Sequence, residues 1–196
     1  RLADASIAVS DSTLKMGQIF DIANEAADAM GENVSDVIVN FSEAYQATGG
    51  MGDATVRTTA AIKLMNHALI LSKLSSLTAT QSIDTLASAL RHSGLGLDQG
   101  TSLLDKWVKV TKLANVSLDT LSTGFSVLGE AASAAGLSNE ELNAILAVTS
   151  ETMGVTGREA ANMARSFVAG FQSDKAIAAL NSVGIATKTT SGEMRT

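Results

Sequence analysis

Ala134-Ala-Gly-Leu-Ser-Asn-Glu-Glu-Leu142 and, further along, Met153-Gly-Val-Thr-Gly-Arg-Glu-Ala-Ala161 are two helix junctions built to one plan. In each, a glycine closes a run of apolar and small residues, and a hydroxyl residue stands three places ahead of a glutamate. The hydroxyl can accept a bond from a free amide of the next helix while the glutamate reaches back to the hydroxyl residue's own N–H, the reciprocal capping box. Ser138 with Glu141 and Thr156 with Glu159 are therefore assigned as structural caps. The glycines, Gly136 and Gly154, supply the left-handed residue that ends the preceding helix.

Outward from these junctions the same punctuation recurs. Ser117 caps a helix to Ala135 whose apolar face is Leu118, Leu121, Phe125, Leu128 and Ala132. Asn139 to Met153 follows with Leu142, Ile145, Leu146 and Met153. Gly157 to Phe171 is small on one side, through Ala160, Ala161 and Ala164, and bulky on the other, through Met163, Phe167 and Val168, which predicts a close helix–helix approach. Upstream, helices are expected over Leu2–Met30, from a Ser35 cap to Gly49-Gly50, over Thr55–Leu77, from the Thr78/Gln81 box to Gly94, and over Thr101–Ala114. Thr55–Leu77 is the longest, with Ala61, Ile62, Met65, Leu69 and Leu74 at helical spacing. Downstream, Lys175–Val183 reads as a short helix and Ile185–Arg195 as a small extended hairpin or irregular end.

The expected class is all-α, an irregular bundle of about seven to nine short helices with a small β-hairpin allowed at the C-terminal end. Helices start at intervals of roughly 20 residues, but no consensus repeats between them, so a solenoid is set aside. The Gly49-Gly-Met-Gly52 run is the best hinge, dividing a helical segment or appendage, 1–50, from a core, 51–196, unless the two form one continuous domain.

Composition agrees. Of 196 residues 45% are hydrophobic and only 4% aromatic, so a core must be assembled from Ala, Leu, Ile, Val and Met, which suits closely packed helices. With no proline, helix breaking falls to the 16 glycines. A net charge of −6 and the lack of any basic run argue against specific nucleic-acid binding. The absence of cysteine excludes disulfides, zinc–thiolate sites and thiol catalysis, and fits a reducing compartment. No stretch free of charge reaches the roughly 18 residues of a membrane span.

Little in the chain points to catalysis. His67 and His92 lack a second ligand at suitable spacing. Glu140-Glu141 begins a helix, where negative charge offsets the macrodipole, so it is better explained by capping than by acid–base work. Glu25 and Asp28 form no better pair. Gly94-Leu-Gly-Leu-Asp-Gln-Gly100 resembles a phosphate loop, but its third glycine is displaced and it follows a helix instead of a strand. No Gly-x-Ser-x-Gly elbow is present. No catalytic, metal-binding or cofactor-binding residue is assigned, and no enzyme is expected. Trp107, the sole tryptophan, is assigned as a core anchor or a partner contact. The small residues from Gly129 to Gly136 allow close backbone approach, inside the fold or between copies.

The ordered set Asn115-Val-Ser-Leu-Asp-Thr-Leu121, Ala134 to Leu142, Met153 to Ala161, Ala179-Leu-Asn-Ser-Val-Gly-Ile185 and Ser191-Gly-Glu-Met-Arg195 resembles the conserved domain of phage tail tape measure proteins. The likeness is strongest from Leu103 to Arg195 and looser from Ser35 to Gly100. It implies a virion component in the tail lumen, made in the host cytoplasm, around which tail-tube subunits polymerise, which sets tail length and leaves during DNA ejection. Implied partners are tail-tube, tail-tip and tail-assembly chaperone proteins and further copies of itself, a trimer being favoured, with membrane contact only during ejection. The connection Ala169 to Asp174 looks shorter than is common in the family. The start at Arg1 and the end at Thr196, where relatives continue, give the expectation of a fragment of a longer chain. The rival reading is a helical signalling or adaptor module of cellular origin.

Overall fold

The computed structural model describes residues 16–171, and regular structure among them is helical throughout. The elements are α1 (Met16–Met30), α2 (Val34–Ala47), α3 (Ala54–Leu74), α4 (Ala79–His92), a 3-10 turn (Leu97–Gln99), α5 (Gly100–Leu113), α6 (Leu118–Ala134), α7 (Asn139–Met153) and α8 (Gly157–Phe171). The all-α class is as expected. The start of the helix expected from Leu2, the Lys175–Val183 helix and the Ile185–Arg195 hairpin lie outside the described residues.

Two helix starts differ from the sequence reading. α2 begins at Val34, ahead of Ser35, and Asn33 holds the cap position, its side-chain amide donating to Asp36 Oδ2 at 3.2 Å. α3 begins at Ala54 because the Asp53 carboxylate accepts from the Thr55 and Val56 amides, each at 3.0 Å. It ends at Leu74, where Ser75 turns to extended backbone.

The chain divides into two compact units, with the boundary between Asp105 and Lys106, inside α5. In the first, α3 packs on α2 and α4, and α2 packs on α1 and α4. The 21 residues of α3 reach about 30 Å. Because α3 has neighbours on more than one side, Ala61, Leu64, Met65, Ala68, Leu69 and Leu71 are all buried. Each fully buried Leu or Met there contributes about 1.5–3 kcal/mol relative to exposure. On α1 Ile19, Ala23 and Ala27 are buried, while Ile22, Ala26 and Met30 are half-buried. Gly49 to Gly52 lies inside this unit. It is a tight turn between α2 and α3, which pack on each other.

Two guanidiniums close the C-terminal end of α2, which has no basic residue in its own last turn. Arg57 stacks over the Tyr45 ring at 4.2 Å and donates to the Tyr45 carbonyl at 3.4 Å, and Arg91 reaches the Ala47 carbonyl at 3.5 Å. Positive charge there complements the negative end of the helix dipole.

In the second unit α6 packs on α8 and α7, and α7 on α8. Leu118, Leu121, Phe125, Leu128 and Ala132 of α6 are buried, as are Leu142 and Leu146 of α7 and Ala160, Ala161 and Ala164 of α8. α6 and α8 meet through glycine. A Cβ on Gly157 would lie 1.9 Å from the Thr120 carbonyl oxygen, and one on Gly124 would lie 2.7 Å from Leu146 Cδ2 and 3.1 Å from the Gly157 carbonyl oxygen. Small residues on α8 thus give the close approach that its composition predicts. Two residues at helical spacing in apolar stripes face solvent instead, Leu74 at 54% and Met153 at 63% exposed, and Met163 on the bulky side of α8 is 45% exposed. Leu74 and Met153 are the last residues of their helices.

The two glycines of Gly154-Val-Thr-Gly157 have different duties. Gly154 adopts φ 64° to end α7, and a Cβ there would meet nothing, whereas Gly157 must leave room for Thr120. Gly157→Ala is expected to cost about 3 kcal/mol, the upper end of ordinary overpacking, because the clash is with backbone. Gly154→Ala is expected to cost about 1 kcal/mol from left-handed strain alone. Urea unfolding of the two variants beside the parent chain measures both.

Candidate functional site

The capped junctions form as paired hydrogen bonds. At α7 the Ser138 N–H donates to Glu141 Oε2 at 2.8 Å and the Glu141 N–H donates to Ser138 Oγ at 3.2 Å. At α8 the Thr156 N–H donates to Glu159 Oε2 at 2.9 Å and the Glu159 N–H to Thr156 Oγ1 at 3.4 Å. α4 has the third such pair, Thr78 with Gln81, and Ser117 accepts from the Thr120 amide at 3.1 Å to start α6. Donation from the Ser138 backbone, then its hydroxyl, holds the Glu141 carboxyl below the ordinary glutamate value of 4.5. The Thr156 backbone and hydroxyl do the same for Glu159. Both carboxylates are committed to their own helix starts.

Glu140 points elsewhere. Its carboxylate accepts from Lys106 Nζ at 2.7 Å, and that bond, with a lesser backbone contribution, lowers its pKa. Exposed pairs of this kind stabilise little. Glu140 and Glu141, adjacent in sequence, therefore serve different partners. Among the described residues no group of three or more His, Cys, Asp or Glu is arranged to hold a metal ion. No helix among them is long and apolar enough to cross a membrane.

Trp107 has no exposed surface. Its ring meets Phe125 of α6 edge-on, with centroids 5.4 Å apart and planes at 64°, so within the second unit it is a core contact and unavailable to a partner. Its indole N–H is buried without an acceptor among the described residues. His67 is held between α3 and the start of α5, with Nε2 3.0 Å from Thr101 Oγ1. The glycines of Gly94 to Gly100 do not form a phosphate cradle. Gly94 is left-handed at the end of α4, Gly96 is extended, and Gly100 is the first residue of α5, against the His67 ring.

What the sequence reading did not anticipate is an apolar surface on the second unit. Val148, 62% exposed, with Met153 and Met163 and the adjoining Ala144, Ile145, Thr149 and Ala164, lines an open groove along α7 and α8. Chemically it can receive apolar side chains and offers almost no hydrogen bonding. The signal lay in Val148, which falls outside the Leu142–Leu146 stripe at a position where a charged or polar residue is usual.

A family model described as phage-related minor tail protein matches residues 24–196. No curated protein and no solved structure matches.

Because Glu141 and Glu159 have depressed folded-state pKa values, the stability they confer is complete above the unfolded value of 4.5 and is lost as pH falls through the folded values. The double variant Glu141→Gln/Glu159→Gln keeps an acceptor oxygen at each cap but does not titrate. Its thermal midpoint should decline less than that of the parent between about pH 6 and about pH 3. Equal declines would dismiss the assignment. Ser138→Ala and Thr156→Ala should each cost about 1 kcal/mol at neutral pH by denaturant unfolding.

Proposed function

Because the chain belongs to the family of phage-related minor tail proteins, which gives it a structural role in a phage tail, we propose that it is a segment of a tape measure protein. In this reading the parent protein occupies the tail lumen, tail-tube subunits polymerise around it, its length sets tail length, and it is expelled as DNA leaves. The ordered junctions at 115–121, 134–142 and 153–161, all inside the matched region, support the narrower assignment. The partners are tail-tube, tail-tip and tail-assembly chaperone proteins, with copies of the same segment packed as a trimer. The segment is made in the host cytoplasm before it enters the tail.

Within that protein this segment docks or nucleates and does not measure. The observation that carries this is the reversal of the chain at Gly136 and Gly154. Residues 118–171 would span about 80 Å as one continuous helix, but folded on one another they extend along the helix axis only about as far as α6, whose 17 residues reach about 25 Å. A ruler gains length with each residue, and a folded unit does not.

Tail length in particles carrying internal deletions tests the reading. Removing residues between Gly94 and Gly184 should impair assembly or leave length unchanged, whereas shortening by about 1.5 Å per residue removed would refute it. Mass measurement of the purified chain should give three copies, and a monomer at high concentration would count against threefold packing.

A further inference from the structure

We propose that His67 is an acid-sensitive latch, whose neutral imidazole holds the first turn of α5 against α3 and whose protonation releases it. The ring is fixed from two directions. Nε2 lies 3.0 Å from Thr101 Oγ1, and the Nδ1 edge lies against Gly100, where an added Cβ would be 2.4 Å from Nδ1 and 2.9 Å from Cγ and Cε1. Gly100 has ordinary helical backbone, φ −55° and ψ −46°, so glycine is required there for space and not for conformation. Nδ1 is buried and has no hydrogen-bond partner among the described residues.

This geometry distinguishes the two protonation states. In the neutral ring one nitrogen carries hydrogen, and the Thr101 hydroxyl can serve either tautomer by donating or accepting. The imidazolium carries N–H on both nitrogens, which places a buried donor against Gly100 with nothing to receive it, a costly arrangement. The charged groups acting on the ring are Lys63 from α3 and Asp98 from the 3-10 turn, and these pair with each other. Burial is the largest influence and lowers the His67 pKa. Asp98 opposes it and Lys63 adds to it.

The sign follows from linkage. With the closed-state value below the ordinary 6.5, the latch has its full stability above 6.5 and loses it as pH falls from there toward the closed-state value, because the open ring takes up the proton first. Acid therefore favours detachment of Gly100 and Thr101 from α3.

Nuclear magnetic resonance of the His92→Gln chain, which leaves one imidazole to follow, tests the latch. The His67 ring signals should titrate below 6.5, and the Gly100 and Thr101 amide signals should move with the same midpoint. A further His67→Gln substitution should abolish that step in both amides. Titration at or above 6.5, or amides that do not follow the ring, would overturn the proposal. If the His67→Gln chain fails to fold, the agreement or disagreement of ring and amide midpoints in the first chain decides alone.

Discussion

Every helix terminus exposes backbone amides or carbonyls that must find partners, and a chain of many short helices meets this constraint repeatedly. Here the termini are closed by local side chains at one end and by glycine or distant arginine at the other. Asp53, Thr78, Ser117, Ser138 and Thr156 accept from first-turn amides. Gly31, Gly94, Gly136 and Gly154 adopt left-handed backbone beyond last turns, and Arg57 and Arg91 reach the carbonyls that end α2. Each closed end lets the chain reverse, and the reversals bring apolar stripes together. Without them the same stripes would have no neighbour to bury against.

Much of this was legible because it is local. A cap needs a hydroxyl and a carboxylate three residues apart, and that spacing is visible at Ser138/Glu141 and Thr156/Glu159 with no knowledge of the rest of the chain. The periodic face of α6 was legible for the same reason. What sequence could not supply was the number of neighbours each helix has. Leu74 and Met153 fit their stripes by spacing but stand exposed at the last positions of their helices, and Val148 is exposed on α7. Asp53 was missed because the glycine run before it reads as a hinge, although an aspartate preceding Ala-Thr-Val is a good cap on its own terms.

Packing contacts that join residues far apart in the chain were the least legible. Gly100 and His67 are an example: nothing in either local sequence links them, yet the glycine is required by the imidazole. Gly157 is intermediate. Its place in a glycine-rich junction invites a conformational reading, whereas its backbone is ordinary helix and its need for hydrogen in place of a methyl comes from Thr120 on another helix. Membership in the tail-protein family says where such a chain works, but the reason for each glycine comes only from what lies opposite it.

Within each unit the helices pack on their sequence neighbours or on the next helix but one, as α1 on α2, α2 on α3 and α4, and α6 on α7 and α8. Such a topology asks the chain to close only short loops before contacts begin to form, so the entropic barrier to folding is low and rates in the microsecond-to-millisecond range are expected for helical units of this kind. Synthesis delivers residues at only about 5–20 per second. Each unit can therefore be fully formed almost as soon as its last helix clears the ribosome, long before any longer chain that carries it is complete.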